Sequence, residues 1–445
     1  MICGSMIQRI QTKISQDKHF KELLKGASSA FILKLAGMTI GYISLLYITN
    51  RYGATNYGIL ALCMTILSIF TLLPKFGMEN AVVRIVGELH TQGKYFEIYH
   101  VLKTVVCFTF VLSLLSASLL YFSSGVIANS LLHKPSLHSY LQIIAIAIVS
   151  TIFITVAAAY FQGIRNTKSF VFIQTILNQI FFLLFLVTNG FLGLTENIVL
   201  VYVFANIISS IISILLLFNN LKNRNSIQEN MPISYEFFKI IHLAFPMLLA
   251  GSFALLMRWT DILMLGMYKT EADVGIYSAA QRVAGLTSLS LIAINAIAAP
   301  KFVQFYSQKD MTGLERIAKQ STKLIFFTSF PLLVIFFIFP HQIMHIFGSE
   351  FIQGASTLMI LSIGQFINAV SGSVGYIMQM TDHQKIFQNV ILIATIINIV
   401  LNYFLIPAYG IEGAAFASII SMVFWNVTLV IFIKIKLGFY TFSTF

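Results

Sequence analysis

Charge is scarce in this sequence: Asp, Glu, Lys and Arg together make up 10% of its 445 residues. A soluble chain carries roughly 25%. A dissolved enzyme, a nucleic-acid binder and a secreted disulfide scaffold are therefore excluded. Trp occurs only twice, and Cys three times, at Cys3, Cys63 and Cys107. Three cysteines, two of them inside apolar segments, build no disulfide framework. No phosphate-binding loop is present, so the chain is expected to hydrolyse no nucleotide. No cleavable signal is expected at its start, because residues 1–26 are polar and basic and the first apolar stretch is too long for a signal core. No polar loop is long enough to hold a folded domain.

What remains is apolar. Hydrophobic residues reach 58%, Phe alone occurs 41 times, and the mean hydropathy is +0.85. A spanning helix needs ~20 mostly apolar residues. Such windows occur at 27–49, 57–77, 103–122, 140–161, 170–189, 197–218, 240–267, 274–299, 323–340, 355–378, 387–406 and 413–433. Backbone polar groups in hydrocarbon must be satisfied within each segment, and these lengths suit helices rather than barrel strands. The fold class is all-α, a polytopic membrane protein with 12 transmembrane helices.

Basic residues orient it. Arg51, Lys134 and Lys269 lie in loops on one side, and Lys34, Arg258 and Arg282 lie inside spans; the other 22 of the 28 Lys and Arg residues fall on the opposite side. The positive-inside rule makes that richer side cytoplasmic, with both termini on it.

The spans divide into two sets of six. The expected organisation is a cytoplasmic tail at 1–26, a first six-helix lobe at 27–218, a cytoplasmic linker at 219–239, a second lobe at 240–436 and a tail at 437–445. Sliding the halves by 217 residues places Gly58 on Gly275, Gln162 on Gln379, Lys168 on Lys385, Phe170 on Phe387 and Gly193 on Gly410. Each half begins and ends on the same side. This is a parallel repeat about an axis normal to the membrane, and two such lobes enclose a central cavity.

Three stretches resemble a known family. They are RYGATNYGILAL (Arg51–Leu62), YKTEADVGIYSAAQRVAGL (Tyr268–Leu286) and NIVLNYFLIPAYGIEGAAFASIIS (Asn398–Ser421). The last carries an Asn-rich helix, a Pro-x-x-Gly turn and a Gly-Ala-Ala helix opening. Together they resemble the O-antigen-type oligosaccharide flippases, in the superfamily that also holds the multidrug and toxic compound extruders. The motifs identify the fold better than the substrate. Each also has a scaffold role: Gly58 and Gly275 let a short turn enter a helix, Pro407 stops one helix, and Gly410 and Gly413 permit the turn into the next.

The ionisable residues within spans are the candidate site. An unpaired charge at the bilayer centre costs at least ~2.5–3.5 kcal/mol, so each needs a reason to be retained. At helical rise Arg258, Asp261 and Arg282 fall at similar depths, ~9–14 Å in, on adjacent helices. Gln281 stands beside Arg282. A buried Arg258–Asp261 pair stapling two helices is one reading. The other starts from two cations facing one anion, which leaves a positive charge for a ligand to neutralise. The resemblance implies that ligand: an undecaprenyl-pyrophosphate-linked oligosaccharide, whose phosphates suit Arg258 and Arg282. Lys34, on the first helix, either snorkels to the surface or joins them, as cations on the first helix do in the related lipid II flippases.

Asp261 is either a coupling-ion site for H+ or Na+ or the partner of an arginine. The uncharged Asn178, Gln179, Asn206, Asn295, Gln365, Asn368, Asn398, Asn402 and Asn426 serve as helix-to-helix glue or as partners for sugar hydroxyls. His341 and His345 are four apart with no carboxylate companion, so no metal site is assigned. No catalytic constellation and no cofactor are expected.

The chain is read as a flippase acting by alternating access in the plasma (inner) membrane, a functional monomer with membrane lipids around it and a polysaccharide polymerase as candidate partner. The alternative is an ion-coupled multidrug exporter, whose cationic cargo calls for an anionic cavity. A membrane glycan polymerase is disfavoured, because the external loop at 123–139 contains no Asp or Glu.

Overall fold

The computed structural model describes residues 18–222 and 237–442, with side chains other than those of 18–31, 237, 239, 243, 245–255, 257, 258 and 296. Most of the expected N-terminal tail and linker thus lies outside the described residues. Among those described, every regular element is helical. Among the described residues, eight helices are long and apolar enough to cross a membrane, nine if the bent pair Glu271–Asn295 and Ile297–Ser307 is one span.

Two helices are far too long for one crossing. Helix α1 (Lys18–Phe70) has 53 residues, or ~80 Å at helical rise, against a hydrocarbon core of ~30 Å. It breaks at Gly53, whose φ of 79° and ψ of −179° are open to glycine alone at little cost. Further along come α2 (Met78–Thr91), α3 (Tyr95–Val126), α4 (Leu137–Gly163), α5 (Asn178–Leu192) and α6 (Ile198–Lys222). The second half holds α7 (Phe237–Tyr268), α8 (Glu271–Ala284), α9 (Leu289–Ser307), α10 (Met311–Ile338), α11 (Ala355–Ser371) and α12 (Gln384–Leu437). Helix α12 breaks at Gly410 (φ 59°, ψ −132°). Counting both arms of α1 and α12, the helices accommodate the twelve expected spans.

The structure departs from expectation at several boundaries. The segment after the second span, read as loop, is α2. Its apolar Met78, Ala81, Val82, Ile85, Val86 and Leu89 are buried against α4 while its other face stays polar. The external loop expected at 123–139 is mostly helical: α3 runs to Val126 and a π-helical turn carries it to Leu131. Gly53, rather than Gly58, takes the first turn between spans, and Pro407 sits within helix, the break waiting until Gly410. The C-terminal segment folds back, with Phe439 and Thr441 buried and the Thr441 hydroxyl donating to the Ser371 carbonyl at 2.8 Å.

The two lobes meet at one end of the bundle. There the second arm of α1 crosses α8 so closely that a Cβ on Gly58 would lie 1.7 Å from the Glu271 carbonyl oxygen. A Cβ on Gly275 would lie 2.2 Å from that of Ala54. Loops of each lobe grip the helix start of the other. Lys134 donates to the Lys269 carbonyl (2.6 Å) and lies 3.8 Å from the Glu271 carboxylate. In return, the Glu350 carboxylate accepts from the Ala54 amide (2.9 Å), and Asn50 donates to the Ile346 carbonyl (2.9 Å).

Candidate functional site

Behind this seal, between the lobes, lies a cavity of about 750 Å3. On the first lobe it is lined by Ser44, Leu45, Ala61, Met64, Thr65 and Ser68. Their mates in the 217-residue register, Asp261, Ile262, Ser278, Gln281, Arg282 and Gly285, line the opposite wall. The repeat axis therefore passes through the cavity, and both walls present the same helix faces. Their chemistry differs sharply. Along these faces the first wall is apolar and hydroxylic, with Gln179 as the amide of that lobe's lining, whereas the second holds a carboxylate, a guanidinium and an amide.

Asp261 is buried, at 2% exposure. Its Oδ1 accepts from Asn402 (2.8 Å) and Asn398 (3.1 Å) on α12. Its Oδ2 accepts from the Tyr277 hydroxyl on α8 (2.7 Å) and from the Ser418 hydroxyl. Four neutral donors from two other helices thus satisfy one carboxylate, as a buried charge requires. The expected partner Arg258 has its side chain outside the described residues. Asn398 and Asn402 lie one turn apart, so both amides reach the same carboxylate. The Asn402 acceptor, Oδ1, is buried without a partner.

Arg282 lies at the last turn of α8, just before the helix tightens to 3-10 form over Gly285–Ser288. Its side chain is exposed to the cavity and, among the described residues, has no carboxylate partner. Tyr42 of α1 holds it twice. The guanidinium carbon sits 5.4 Å from the centre of the Tyr42 ring, and the Tyr42 hydroxyl donates to the Arg282 carbonyl at 2.6 Å. Gly41 leaves room for this, since a Cβ there would lie 2.8 Å from a guanidinium nitrogen. The ring lends the cation a weak attraction without neutralising it.

The structure thus brings Asp261, Gln281 and Arg282 to one cavity. Lys34 is exposed and lies outside the lining. Among the amides, Gln179 and Gln365 line the cavity, while Asn398 and Asn402 serve Asp261. Asn206 bonds Thr151 and Tyr202, Asn295 accepts from Ser373, and Asn426 donates to the Met422 carbonyl; these are helix-to-helix or local contacts. Sequence reasoning missed Tyr42, Tyr277 and Ser418. It also missed that both tryptophans of the chain, Trp259 and Trp425, line the cavity. Their rarity was the available signal.

A two-lobed, multi-pass membrane transporter is the class that this fold and its relatives define. The chain belongs to the family of polysaccharide biosynthesis proteins, which its residues 23–306 match, and residues 246–404 also match the MatE family. It is 23% identical over 414 residues to the probable low-salt glycan biosynthesis flippase Agl15 of Haloferax volcanii, covering 90% of this chain and 81% of that one. In fold it is similar to an inward-facing multidrug resistance MATE transporter of the MOP superfamily, with a TM-score of 0.72 at 13% identity, covering 92% and 98% of the two chains. It is equally similar to the lipid II flippase MurJ in an inward closed conformation, with a TM-score of 0.72 at 16% identity, covering 91% and 87%. The family resemblance read from the sequence is borne out.

Proposed function

We propose that this protein flips lipid-linked oligosaccharides, carried on undecaprenyl pyrophosphate, from the cytoplasmic to the outer face of the plasma membrane. The observation that carries the reading is Arg282: a cavity-facing cation held by an aromatic ring and a backbone contact, with no carboxylate partner among the described residues. A guanidinium fork matches phosphate oxygens, and a pyrophosphate supplies the missing anion. The match to polysaccharide biosynthesis proteins and the likeness to Agl15 support the glycan.

The basic-residue asymmetry makes the sealed end the outer one, so the cavity is loaded from the cytoplasm. Rocking of the lobes about the repeat axis then breaks the Gly58–Gly275 seal and opens the cavity outward. Asp261 is the coupling-ion site. Turning the Asn398 and Asn402 amides about presents two carbonyl oxygens beside the carboxylate and the Ser418 hydroxyl, an oxygen set suited to Na+. Protonation of the carboxylate is the other way to load the same site. A multidrug exporter, favoured by the MATE-like fold alone, would need an anionic wall for cationic cargo. Here Asp261, the one lining carboxylate among the described residues, is already engaged by four donors.

Reconstitution into proteoliposomes tests the proposal. The native chain should translocate an undecaprenyl-pyrophosphate-linked oligosaccharide. Arg282→Ala should lose at least ~10-fold in rate while remaining in the membrane, and Arg282→Lys should recover only part because it lacks the fork. Absence of translocation by the native chain would reject the function; full activity of Arg282→Ala would reject the role of that residue.

A further inference from the structure

Trp and Tyr in membrane proteins ordinarily gather in belts at the two water interfaces, facing lipid. The two tryptophans of this chain do otherwise: both line the internal cavity. Trp259 stands two residues from Asp261 and is buried at 5% exposure. Trp425 shares one face of α12 with Ser418 and Met422, at spacings of four and three residues, and all three line the cavity. Ser418 bonds Asp261, so Trp425 lies two turns, or ~10 Å, further along the wall toward the unsealed end. Counted from the breaks at the seal, Arg282 comes before it, eleven residues into α8.

We propose that Trp425 is the platform of a sugar-binding subsite, completed by the cavity amides Gln365 and Gln281. The proposal rests on the flippase reading and goes beyond it, by assigning the first sugar of the cargo a place of its own beside the phosphate site. A pyranose ring has a face of C–H groups and a rim of hydroxyls. An indole offers a broad flat surface to the face, and amides donate to and accept from the rim. The arrangement has both components within one wall. Phe387 braces the indole edge-on, with ring centres 6.5 Å apart and planes at 64°, which fixes its orientation. The indole N–H is buried without a partner, a donor left for a sugar hydroxyl to satisfy on a small turn of the ring. The first lobe has no indole in its lining and repeats neither group in register: the mates of Trp425 and Gln281 are Ile208 and Met64, and its lining amide, Gln179, stands apart from any tryptophan. Sugar recognition therefore belongs to the second lobe, which also carries Arg282.

Because the chain has only two indoles, its own fluorescence reports on the site. The probes are a synthetic prenyl diphosphate and the same lipid bearing one N-acetylhexosamine, each titrated into purified full-length protein. The glycosylated probe should shift and change the emission of the native chain and of Trp259→Phe, whereas Trp425→Phe should lose the change. The bare diphosphate should bind with little effect on emission. Trp425→Leu should bind the glycosylated probe at least ~10-fold more weakly and the bare diphosphate equally well, with Trp425→Phe between. Equal binding of the glycosylated probe by Trp425→Leu and the native chain would overturn the subsite and leave the flippase reading standing. Binding of the bare diphosphate weakened just as much in Trp425→Leu would also overturn it, marking a general packing defect. Failure of both probes to bind the native chain would overturn both proposals.

Discussion

Gly58 and Gly275, mates in the 217-residue register, touch each other across the repeat axis. A Cβ on Gly58 would lie 2.9 Å from the Gly275 amide nitrogen, and one on Gly275 would lie 3.0 Å from that of Gly58. The further contacts are reciprocal too, since Glu271 and Ala54, whose carbonyls they press on, are themselves mates. Two helices related by a twofold can cross this closely only where neither carries a side chain. The glycines thus close the seal rather than merely turn the chain.

The first prediction follows from that contact. Gly58→Ala and Gly275→Ala each force backbone apart, because the obstructing atoms are carbonyl oxygens rather than flexible side chains. Overpacking of this kind costs about 1–3 kcal/mol. The cost falls on the sealed state, in which the helices touch. Each variant should therefore expose cysteines placed at the seal to thiol reagents faster than the native chain. Gly285→Ala, whose added Cβ would meet nothing within 4 Å, should leave thermal stability within about 0.5 kcal/mol. Unchanged labelling in both Gly58→Ala and Gly275→Ala would refute the seal.

Orientation is tested separately. His133 is exposed at the sealed end and Lys309 is exposed at the other. With the native cysteines replaced, a membrane-impermeant thiol reagent added to intact cells should label His133→Cys and miss Lys309→Cys. The reverse pattern would invert the proposed direction of transport.

Asp261 yields a third prediction, about ions. A ligand that binds the folded chain raises its stability by mass action. The unfolding temperature of purified protein should rise with Na+ against a choline control, or with falling pH, and transport should follow the same ion. Asn402→Ala should weaken the response by removing one oxygen of the set. Asp261→Asn should abolish it, at a cost of about 1–3 kcal/mol for each donor left unsatisfied. If neither ion moves the native unfolding temperature or the transport rate, Asp261 is a structural hub only.

Much of this was legible in the sequence because lipid imposes a simple code. Apolar windows, basic asymmetry and the repeat each follow from one local property. Asp261 and Arg282 stood out because charge in hydrocarbon must be explained, and Gln281 because it stands beside Arg282. The partners of Asp261 were not legible: Asn398 and Asn402 lie more than 130 residues away, and nothing local distinguishes them from amides that merely join helices. Helix α2 escaped notice because it is amphipathic, with too little hydropathy for a span and too much periodicity for a loop. Lys34 had a long stem and a shallow depth, and those sufficed to leave it outside the cavity lining.

The last prediction concerns the motion. Thr55 and Ala272 are register mates that flank the Gly58–Gly275 contact, on opposite sides of the axis. If the seal is the outer gate, it must open once per transport cycle. A disulfide needs Cα atoms within ~7 Å, so it forms only while the gate is shut. With Cys3, Cys63 and Cys107 removed, Thr55→Cys/Ala272→Cys and a small grid of pairs around it should cross-link under oxidation. The linked protein should still bind substrate from the cytoplasmic side, because the cavity below the seal is untouched. It should not release substrate outward, and reduction should restore turnover. Protein that cross-links anywhere in the grid and transports at the native rate would show that this end stays shut throughout the cycle, and the rocking mechanism would be wrong.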